Sequence, residues 1–454
     1  MAAKYIVAIE IGSSKIKGAI GVVDIDSSLK VIAVEECEFI DGVRYGCIQN
    51  VEDVKTCVSK IISALESNSQ VVPQNIKGVY VSIGGRSTKS HKNEIERIFD
   101  EETEITRDII DELINQAYEE FPKDKHVLDI MSLGYTIDNT TPQNPIGTFG
   151  HSLKTTLNYI TCRPQIIKNI NRVIEERLSL DINGYIVRQS ALADLVLSDD
   201  EKKLGCMLVD FGAEITTASI HKGGAMQYMA TIPLGSRNIT RDLTTLSITE
   251  EVAERVKRTA NANPQETVGA AGKSSMIEGV DDAEVNNYVQ YRSREIIANI
   301  INQTTLGGYK TTDLPNGIVI VGGGAKLKGF NSYLEAQSGL KVRAGMINGK
   351  VRVLDNSISQ DDAIDVISVL YAASQLKGLE ECLEGPKQVV IEPQEEVVIG
   401  EPVSNKDLKE IEEDKEINKD KENKDKKTGT RNSAKNLLTK IQNKLRIILE
   451  EEEE

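Results

Sequence analysis

Runs of apolar residues separated by polar turns dominate the start of the chain and predict strands followed by a helix. Valine, isoleucine and alanine make up most of these runs, which is typical of β-strands. We predict strands at Tyr5–Ile11, Lys15–Asp24, Val31–Glu35 and Ile76–Ile83, and a helix at Val51–Glu66.

The second half of the chain repeats this plan about 200 residues later. Near-continuous apolar strands are typical of sheets that helices cover on both faces. The repeat therefore predicts an α/β chain with two related lobes that arose by internal duplication. Its predicted strands are Cys206–Phe211, Thr216–His221, Ala225–Ile232 and Gly317–Val321, and its predicted helices are Arg237–Leu246, Thr249–Ala260 and Ala283–Leu306.

Two segments interrupt this plan. Residues 84–161 contain a charged helix-like stretch, Thr106–Phe121, and a loop rich in proline, glycine and asparagine, Asp138–Gly150, so we interpret them as an inserted subdomain. Residues 385–432 consist largely of Lys, Asp, Glu and Asn with few apolar side chains to bury. That composition predicts a disordered charged linker.

The last segment, residues 433–454, predicts an amphipathic helix with an acidic end, Glu450–Glu454. At 100° per residue, aliphatic side chains fall on one stripe and lysines on the opposite face. A 16-residue helix rises about 24 Å, less than the roughly 30 Å of a bilayer core, so it would lie on an anionic membrane surface rather than cross it. Docking on the protein's own body and binding to a partner remain alternatives. The apolar stripe includes Leu437, Leu438, Ile441, Leu445 and Ile448, and the basic face includes Lys440 and Lys444.

Composition and charge exclude several classes of protein. The 454 residues carry a formal net charge of -16, which argues against a nucleic-acid partner. Six cysteines without a CxxC pair indicate neither a zinc site nor a disulfide framework and fit a reducing cytosol. Glu10 interrupts the first apolar run, so we expect no signal peptide, and no run of about 20 apolar residues predicts a membrane span.

Three glycine-bearing turns follow predicted strands and are candidates for cradling phosphates through backbone N–H groups. Each turn alone is more typical of a plain hairpin or loop, but their matched positions in the two halves favour a shared nucleotide site. A downstream Glu-x-x-Lys places two charged side chains on one helical face. The candidate binding residues are Gly12, Ser13, Ser14 and Lys15 in the first turn, Asp210, Gly212, Ala213, Glu214 and Thr216 in the second, Gly322, Gly323, Gly324 and Lys326 in the third, and Gly235, Glu254 and Lys257 between them.

Two carboxylates stand at the ends of the strands that precede the first two turns. Glu10 and Asp210 are therefore candidates for holding water molecules of a bound Mg²⁺ ion.

With these features in place, the chain resembles the FtsA family of bacterial cell-division proteins over about residues 3–380 and the tail. Three stretches of the insert carry the resemblance: Val79–Arg86 (VYVSIGGR), Asn144–Gly150 (NPIGTFG) and Thr155–Cys162 (TTLNYITC). The resemblance implies an actin-like, ribonuclease H-like two-lobe fold with a cleft for ATP and Mg²⁺. It also implies four subdomains: 1A at residues 1–83, 162–200 and 360–384, 1C at 84–161, 2A at 201–246 and 314–359, and 2B at 247–313.

The family's function would follow from this arrangement. ATP-bound subunits of the family form filaments at the inner face of the cytoplasmic membrane and recruit the tubulin-like FtsZ through subdomain 2B. Later division proteins then join them at the septum. The resemblance thus implies a peripheral membrane protein that acts as an adaptor.

Two departures from the family pattern argue against fast hydrolysis. Ala213, Glu214 and Ile215 stand where the family has Gly, Gly and Thr, and the later turn reads Gly235-Ser236. A glutamate facing phosphates would repel them, so Glu214 must point away or alter the affinity. We therefore assign no catalytic residue and predict at most a weak ATPase. A sugar kinase of the same fold and a pilus-assembly ATP-binding protein are the alternative functions.

Overall fold

The computed structural model describes residues 4–24, 28–38, 42–142, 144–267, 276–347, 349, 351–355 and 359–385. The predicted linker beyond Gly385 and the predicted amphipathic helix at 433–454 lie outside these residues.

Strands and helices alternate along the described chain. The strands are β1 (Lys4–Ile11), β2 (Lys15–Val23), β3 (Leu29–Glu38), β4 (Val43–Arg44), β5 (Cys47–Ile48), β6 (Asn75–Ile76), β7 (Gly78–Ile83), β8 (Lys89–Glu104), β9 (His126–Ile137), β10 (Phe149–Cys162), β11 (Asp181–Val187), β12 (Cys206–Phe211), β13 (Thr216–Lys222), β14 (Ala225–Ile232), β15 (Met276–Ile277), β16 (Val280–Asp281), β17 (Ile318–Val321), β18 (Val342–Ala344), β19 (Val351–Val353) and β20 (Leu383–Glu384). The helices are α1 (Val51–Glu66), α2 (Arg107–Glu120), α3 (Pro164–Asn171), α4 (Arg188–Val196), α5 (Asp199–Leu204), α6 (Ser236–Leu243), α7 (Glu250–Thr259), α8 (Pro264–Thr267), α9 (Asp282–Leu306), α10 (Phe330–Ser338) and α11 (Gln360–Ser374). Short 3₁₀ turns lie at Thr244–Leu246, Thr311–Asp313 and Gly323–Lys326, and Arg172–Arg177 is π-helical.

The first lobe is built on a six-stranded sheet in the order β11-β7-β1-β2-β3-β19. The hairpin pairs β1/β2 and β2/β3 are antiparallel, whereas β7 runs parallel to β1 and to β11. Consecutive residues Ile6 to Glu10 of β1 are all buried, so both faces of the sheet are covered. Helices α1 and α11 supply much of this cover.

The second lobe repeats the same arrangement in a five-stranded sheet, β14-β13-β12-β17-β18. Three antiparallel strands are again followed by two parallel ones, in the same spatial order as β3-β2-β1-β7-β11 of the first lobe. This correspondence confirms the predicted duplication. Strand β19, which follows the second lobe in the chain, crosses back to pair with β3 of the first lobe.

Most predicted elements of the two lobes are confirmed to within two or three residues. The bounds of α1, β12 and β14 match the prediction at both ends, and the Asn50 side chain caps α1 by accepting from the backbone N–H of Glu52. The predicted helix at Arg237–Leu246 was too long, because α6 ends at Leu243 and a 3₁₀ turn follows.

The insert contains more strand than the sequence indicated. Its three-stranded antiparallel sheet, β8-β10-β9, packs with α2 around a hydrophobic core that is separate from those of the two lobes. Within that core the Phe121 ring stacks on Tyr159 with 4.7 Å between centroids. Charged residues occupy most of the exposed positions of β8, so its alternation was hidden in the sequence.

The insert is joined to the second lobe by polar contacts with β14. The Met229 backbone N–H donates to Ser90 Oγ at 2.7 Å, and the Asn158 side chain donates to the Met226 carbonyl at 2.7 Å. Strand β9 of the insert also contacts β11 of the first lobe, so the insert packs against both halves of the chain.

One expectation about the cysteines was wrong. Cys37 of β3 and Cys57 of α1 form a disulfide, with their Cα atoms 5.7 Å apart. Their separation of 20 residues carries no motif, and only the packing of α1 on β3 brings them together. Among the helices of the described residues, none has the length and apolar character needed to cross a bilayer.

Candidate functional site

A cavity of about 1210 Å³ opens between the two lobes, and all three glycine-bearing turns line it. The turns come from the ends of β1, β12 and β17, which occupy equivalent edges of the duplicated sheets. The sheet architecture thus gathers residues that lie more than 300 positions apart in the chain.

The first turn closes the hairpin of β1 and β2. The Gly12 backbone N–H donates to the Lys15 carbonyl at 3.0 Å, and Ser13 Oγ accepts from the Gly46 N–H at 2.9 Å. A Cβ on Gly12 would lie 2.8 Å from the Lys15 carbonyl oxygen, so the tight turn requires glycine. Lys15 lines the cavity and pairs with Glu36 at 2.7 Å.

The second turn has the same geometry. The Gly212 N–H donates to the Ile215 carbonyl at 3.0 Å, as Gly12 does to Lys15. Helix α6 starts directly against this turn, because the Arg237 N–H donates to the Ala213 carbonyl at 2.7 Å. Gly235 allows the approach, since a Cβ there would lie 2.4 Å from the Ala213 carbonyl.

The third turn passes close to the end of β12. Gly322 has φ +95, and Gly324 lies against the Phe211 ring, where a Cβ would come within 2.6 Å. After this turn the chain makes a single 3₁₀ turn, and α10 begins only at Phe330.

Glu214 points away from the cavity. Its fully buried carboxylate accepts from the Tyr45 N–H at 2.6 Å and lies 2.8 Å from Arg241, 3.5 Å from Arg237 and 3.6 Å from Arg44. Arg44 and Tyr45 belong to the first lobe, whereas Arg237 and Arg241 belong to α6 of the second. We call Glu214 with these four residues the interlobe clasp.

The structure brings most of the predicted binding residues together at the cavity. Glu214, Thr216 and Gly235 are the exceptions, since they support the turns from behind without lining the cavity. Thr216, for example, donates its hydroxyl to the Leu234 carbonyl at 2.8 Å. The predicted residues that line the cavity are Glu10, Gly12, Ser13, Ser14, Lys15, Asp210, Gly212, Ala213, Glu254, Lys257, Gly322, Gly323, Gly324 and Lys326.

The buried Lys257 and the partly exposed Glu254 form a polar pair at the α6–α7 side of the cavity. Lys257 Nζ lies 2.5 Å from Glu254 Oε2 and 3.0 Å from Thr240 Oγ1. Burial lowers the pKa of Lys257. Burial alone would raise the pKa of Glu254, but the Lys257 ammonium holds it below its usual range. The Lys257 ammonium is therefore packed into the site, whereas the Glu254 carboxylate stays partly exposed.

Arg188 was missed by sequence reasoning and lies at the centre of the site. It begins α4 directly after β11, and its guanidinium lies between the two candidate magnesium carboxylates. Nη1 donates to Glu10 Oε1 in a short contact, and Nε lies 3.0 Å from Asp210 Oδ2. Burial raises the pKa of Glu10 to about 7 against the pull of Arg188, and burial also raises the pKa of Asp210.

A second ion pair beneath the site was also missed. Lys17 Nζ lies 2.8 Å from Asp365 Oδ2, which α11 carries up to the cavity. Burial alone would raise the pKa of Asp365, but Lys17 and Arg188 hold it below its usual range. The only sequence signal for Arg188 and Asp365 was a charge beside apolar residues, because Glu10 lies 178 positions from Arg188 and Lys17 lies 348 positions from Asp365.

The guanidinium of Arg188 faces both carboxylates that the sequence predicted to hold magnesium-bound water, Glu10 and Asp210, and so competes with an ion for their oxygens. In the part of the chain that the structure describes, no group of three or more Asp, Glu, His or Cys side chains is placed to hold a metal ion.

Comparison with known proteins gives matches over most of the chain. The model of the family "Cell division protein FtsA" matches residues 207–417, and that of the "SHS2 domain inserted in FTSA" matches residues 85–161. Cell division protein FtsA of Porphyromonas gingivalis is 32% identical over 384 residues, which are 81% of this chain and 78% of that protein. The FtsA of Pseudomonas aeruginosa is 30% identical over 376 residues, covering 78% and 87%.

A solved structure, the PilM-PilN type IV pilus biogenesis complex, aligns with a TM-score of 0.56 at 14% identity. The alignment covers 81% of this chain and 96% of that one. This likeness concerns the fold alone and confirms the predicted actin-like architecture. The relatives by sequence are cell-division proteins, and their similarity extends through both lobes and the insert. The chain belongs to the FtsA family of bacterial cell-division proteins.

Proposed function

We propose that this chain binds ATP between its lobes and acts as a membrane-attached adaptor in cell division. The convergence of three glycine-bearing turns from both lobes on one cavity carries the nucleotide part of this proposal. Such turns present backbone N–H groups without side chains in the way, which suits phosphate oxygens.

The cavity has two chemically different ends. Phosphates would lie against the turns at Gly12 and Gly212, with Ser13 and Ser14 as additional donors. The nucleoside would lie toward α6 and α7, where the Glu254 carboxylate can accept from ribose hydroxyls and Lys257 fixes its orientation. Gly322, Gly323 and Gly324 let the backbone approach the nucleotide closely.

The site is better suited to holding ATP than to hydrolysing it quickly. The methyl side chain of Ala213 cannot activate water, and the Glu214 carboxylate points away from the cavity into the interlobe clasp. We therefore assign no catalytic residue, and any ATPase activity would be weak. Nucleotide would act as a switch because both lobes contact it, so that its presence favours the closed, filament-forming arrangement.

The rest of the chain would attach this switch to the division machinery. We assign subdomain 1A to residues 1–83, 162–200 and 360–384, 1C to 84–161, 2A to 201–246 and 314–359, and 2B to 247–313. FtsZ would bind subdomain 2B, whose exposed apolar side chains support a partner surface. These are Met276, Tyr291 and Leu306, which are 64%, 74% and 62% exposed.

Residues 433–454 would anchor the protein to the cytoplasmic face of the membrane at the septum. Each aliphatic side chain of the predicted stripe contributes about 1 kcal/mol when partly buried in an interface. Leu437 and its companions therefore hold a monomer only weakly, whereas a filament with many tails binds tightly through avidity. Filaments would then carry FtsZ to the membrane and recruit later division proteins.

Co-sedimentation of FtsZ with anionic liposomes tests this proposal. With ATP, we expect the full chain to carry FtsZ into the pellet, and removal of residues 433–454 to reduce both proteins in the pellet about tenfold or more. Removal of only Glu450–Glu454 is the matched control, and it should leave pelleting unchanged or increased, because those acids oppose an anionic surface.

Two outcomes would contradict different parts of the proposal. Pelleting of the chain without the tail at the level of the full chain would refute the membrane anchor. Pelleting of the full chain while FtsZ stays in the supernatant would refute the FtsZ tether.

A further inference from the structure

The guanidinium of Arg188 stands where the sequence predicted the water molecules of a magnesium ion. Nη1 contacts Glu10, Nε and Nη2 lie 3.0 and 3.4 Å from the two Asp210 oxygens, and Nη2 lies 4.0 Å from Asp365. The two carboxylates come from matched strands of the two lobes, β1 and β12, so Arg188 bridges them across the base of the cavity.

We propose that Arg188 is a built-in cation of the phosphate site, so that this chain binds its nucleotide without needing a divalent metal ion. The inference rests on the proposed ATP function of the cleft. It concerns the charge that faces the phosphates, not the identity of the nucleoside.

The guanidinium has donors left for a ligand. Arginine carries five N–H groups in a planar fork, and the hydrogen bonds to Glu10 and Asp210 use one N–H of each terminal nitrogen, while Nε is buried 3.0 Å from Asp210 Oδ2 without a hydrogen bond. One N–H on each terminal nitrogen therefore remains. Arg188 lines the cavity, and its side chain is 19% exposed. Two parallel N–H groups match the spacing of phosphate oxygens, which makes arginine a good phosphate ligand.

The neighbouring residue fixes Arg188 in this position. The Gln189 side chain donates to the Leu208 carbonyl at 3.1 Å and lies 2.9 Å from Ser219 Oγ, which ties the start of α4 to β12 and β13. Arg188 is thereby held beside Asp210, at the edge of the sheet where the second turn begins. Its charge is preorganised and requires no rearrangement when a ligand arrives.

The remaining acids around the cavity do not create a need for a metal ion. Most of them already pair with a cation of the protein, so they add little uncompensated negative charge near the phosphates. The pairs are Glu36 and Glu38 with Lys15, Asp365 with Lys17, Asp362 with Lys326, Glu254 with Lys257, and Glu250 with Arg237. Arg188 does the same for Glu10 and Asp210, and in addition presents donors to the cavity.

The test is a comparison of ATP affinity with and without magnesium, measured by calorimetry on the full chain. For the wild type we expect the Kd in excess EDTA to stay within fivefold of the Kd in MgCl₂. A rise of more than fivefold on chelation would overturn the inference. This comparison needs no variant and decides the question whether or not the variants fold.

The variant Arg188→Gln tests whether this side chain is what makes ATP binding independent of magnesium. Without the guanidinium, Glu10 and Asp210 repel the phosphates unless Mg²⁺ intervenes, so chelation should now raise the Kd more than fivefold. The matched control is Arg343→Gln, which also removes an arginine from an ion pair, with Glu201 at 2.7 Å, but away from the cavity. Its response to EDTA should equal that of the wild type.

The outcomes separate this inference from the function on which it rests. A folded Arg188→Gln variant with the wild-type response to EDTA would overturn the role of Arg188. Absence of ATP binding in both buffers would overturn the proposed function of the cleft, and this inference with it.

Discussion

Replacing Glu214 by glutamine is expected to lower the free energy of unfolding by about 3 kcal/mol, since removing one partner of a buried ionic network leaves the other charges uncompensated. The carboxylate is fully buried and faces Arg44, Arg237 and Arg241. Glutamine keeps the shape and still accepts from the Tyr45 N–H, but three guanidinium groups then meet a neutral amide. Urea unfolding at neutral pH measures the change.

Glu278→Gln is the matched control for this variant. Glu278 also pairs with an arginine, Arg255 at 2.5 Å, but the side chains are 38% and 56% exposed, whereas that of Glu214 is fully buried. Exposed pairs contribute about 0–1 kcal/mol, so the control should unfold near the wild-type midpoint. Equal midpoints for Glu214→Gln and the wild type would contradict the interlobe clasp as a stabilising contact between the lobes.

Gly322→Ala is expected to weaken ATP binding about tenfold or more, which corresponds to about 1.4 kcal/mol or more of binding free energy. A Cβ at this position would lie 2.5 Å from the Phe211 carbonyl oxygen and 2.8 Å from Asp210 Oδ1, and the backbone there has φ +95. Accommodating it would move the third turn away from the end of β12. The turns would then no longer converge on one ligand. Calorimetric titration with ATP gives the affinity.

The control for this prediction is Gly339→Ala at the end of α10. Gly339 also has a positive φ, +67, but a Cβ there would meet no atom within 4 Å. It therefore places an alanine at a positive φ without the collision, and its ATP affinity should match that of the wild type. An unchanged affinity in Gly322→Ala would refute the placement of the nucleotide against the third turn.

Much of the two-lobe fold followed from the sequence, because its buried strands are strong apolar runs bounded by clear turns. The β1–β2 and β12–β13 hairpins and helix α1 were all predictable on this basis. The sheet of the insert was not, since the exposed face of β8 carries so many charges that its strand pattern is obscured. The disulfide of Cys37 and Cys57 likewise depends on how α1 packs on β3.

The candidate site was predictable only where it consists of local motifs. The three turns and the Glu254–Lys257 pair each occupy a few consecutive residues, so they could be predicted as candidate binding residues from the sequence. The role of Arg188 depends on its contacts with Glu10, 178 positions earlier, and with Asp210 on another strand. The sequence also could not predict the direction in which Glu214 points, because Arg44 and Tyr45 contact it from the other lobe.

These contacts also indicate how nucleotide binding in the cleft would be coupled to the arrangement of the two lobes. The second turn bears Ala213 on the cavity and Glu214 in the interlobe clasp, so one turn contacts both the nucleotide site and the first lobe. Arg237 of the clasp also donates to the Ser13 carbonyl at 3.3 Å, which joins the first two turns. A nucleotide against either turn would thus stabilise the same arrangement of the lobes.

Electron microscopy of the full chain on an anionic lipid monolayer tests the central claim most directly, namely that nucleotide in the cleft controls assembly on a membrane. We predict filaments on the lipid when ATP is present and none when nucleotide is omitted, and Gly322→Ala should need about ten times more ATP to form them. Bare lipid in the presence of ATP, or the same filaments without any nucleotide, would contradict the account.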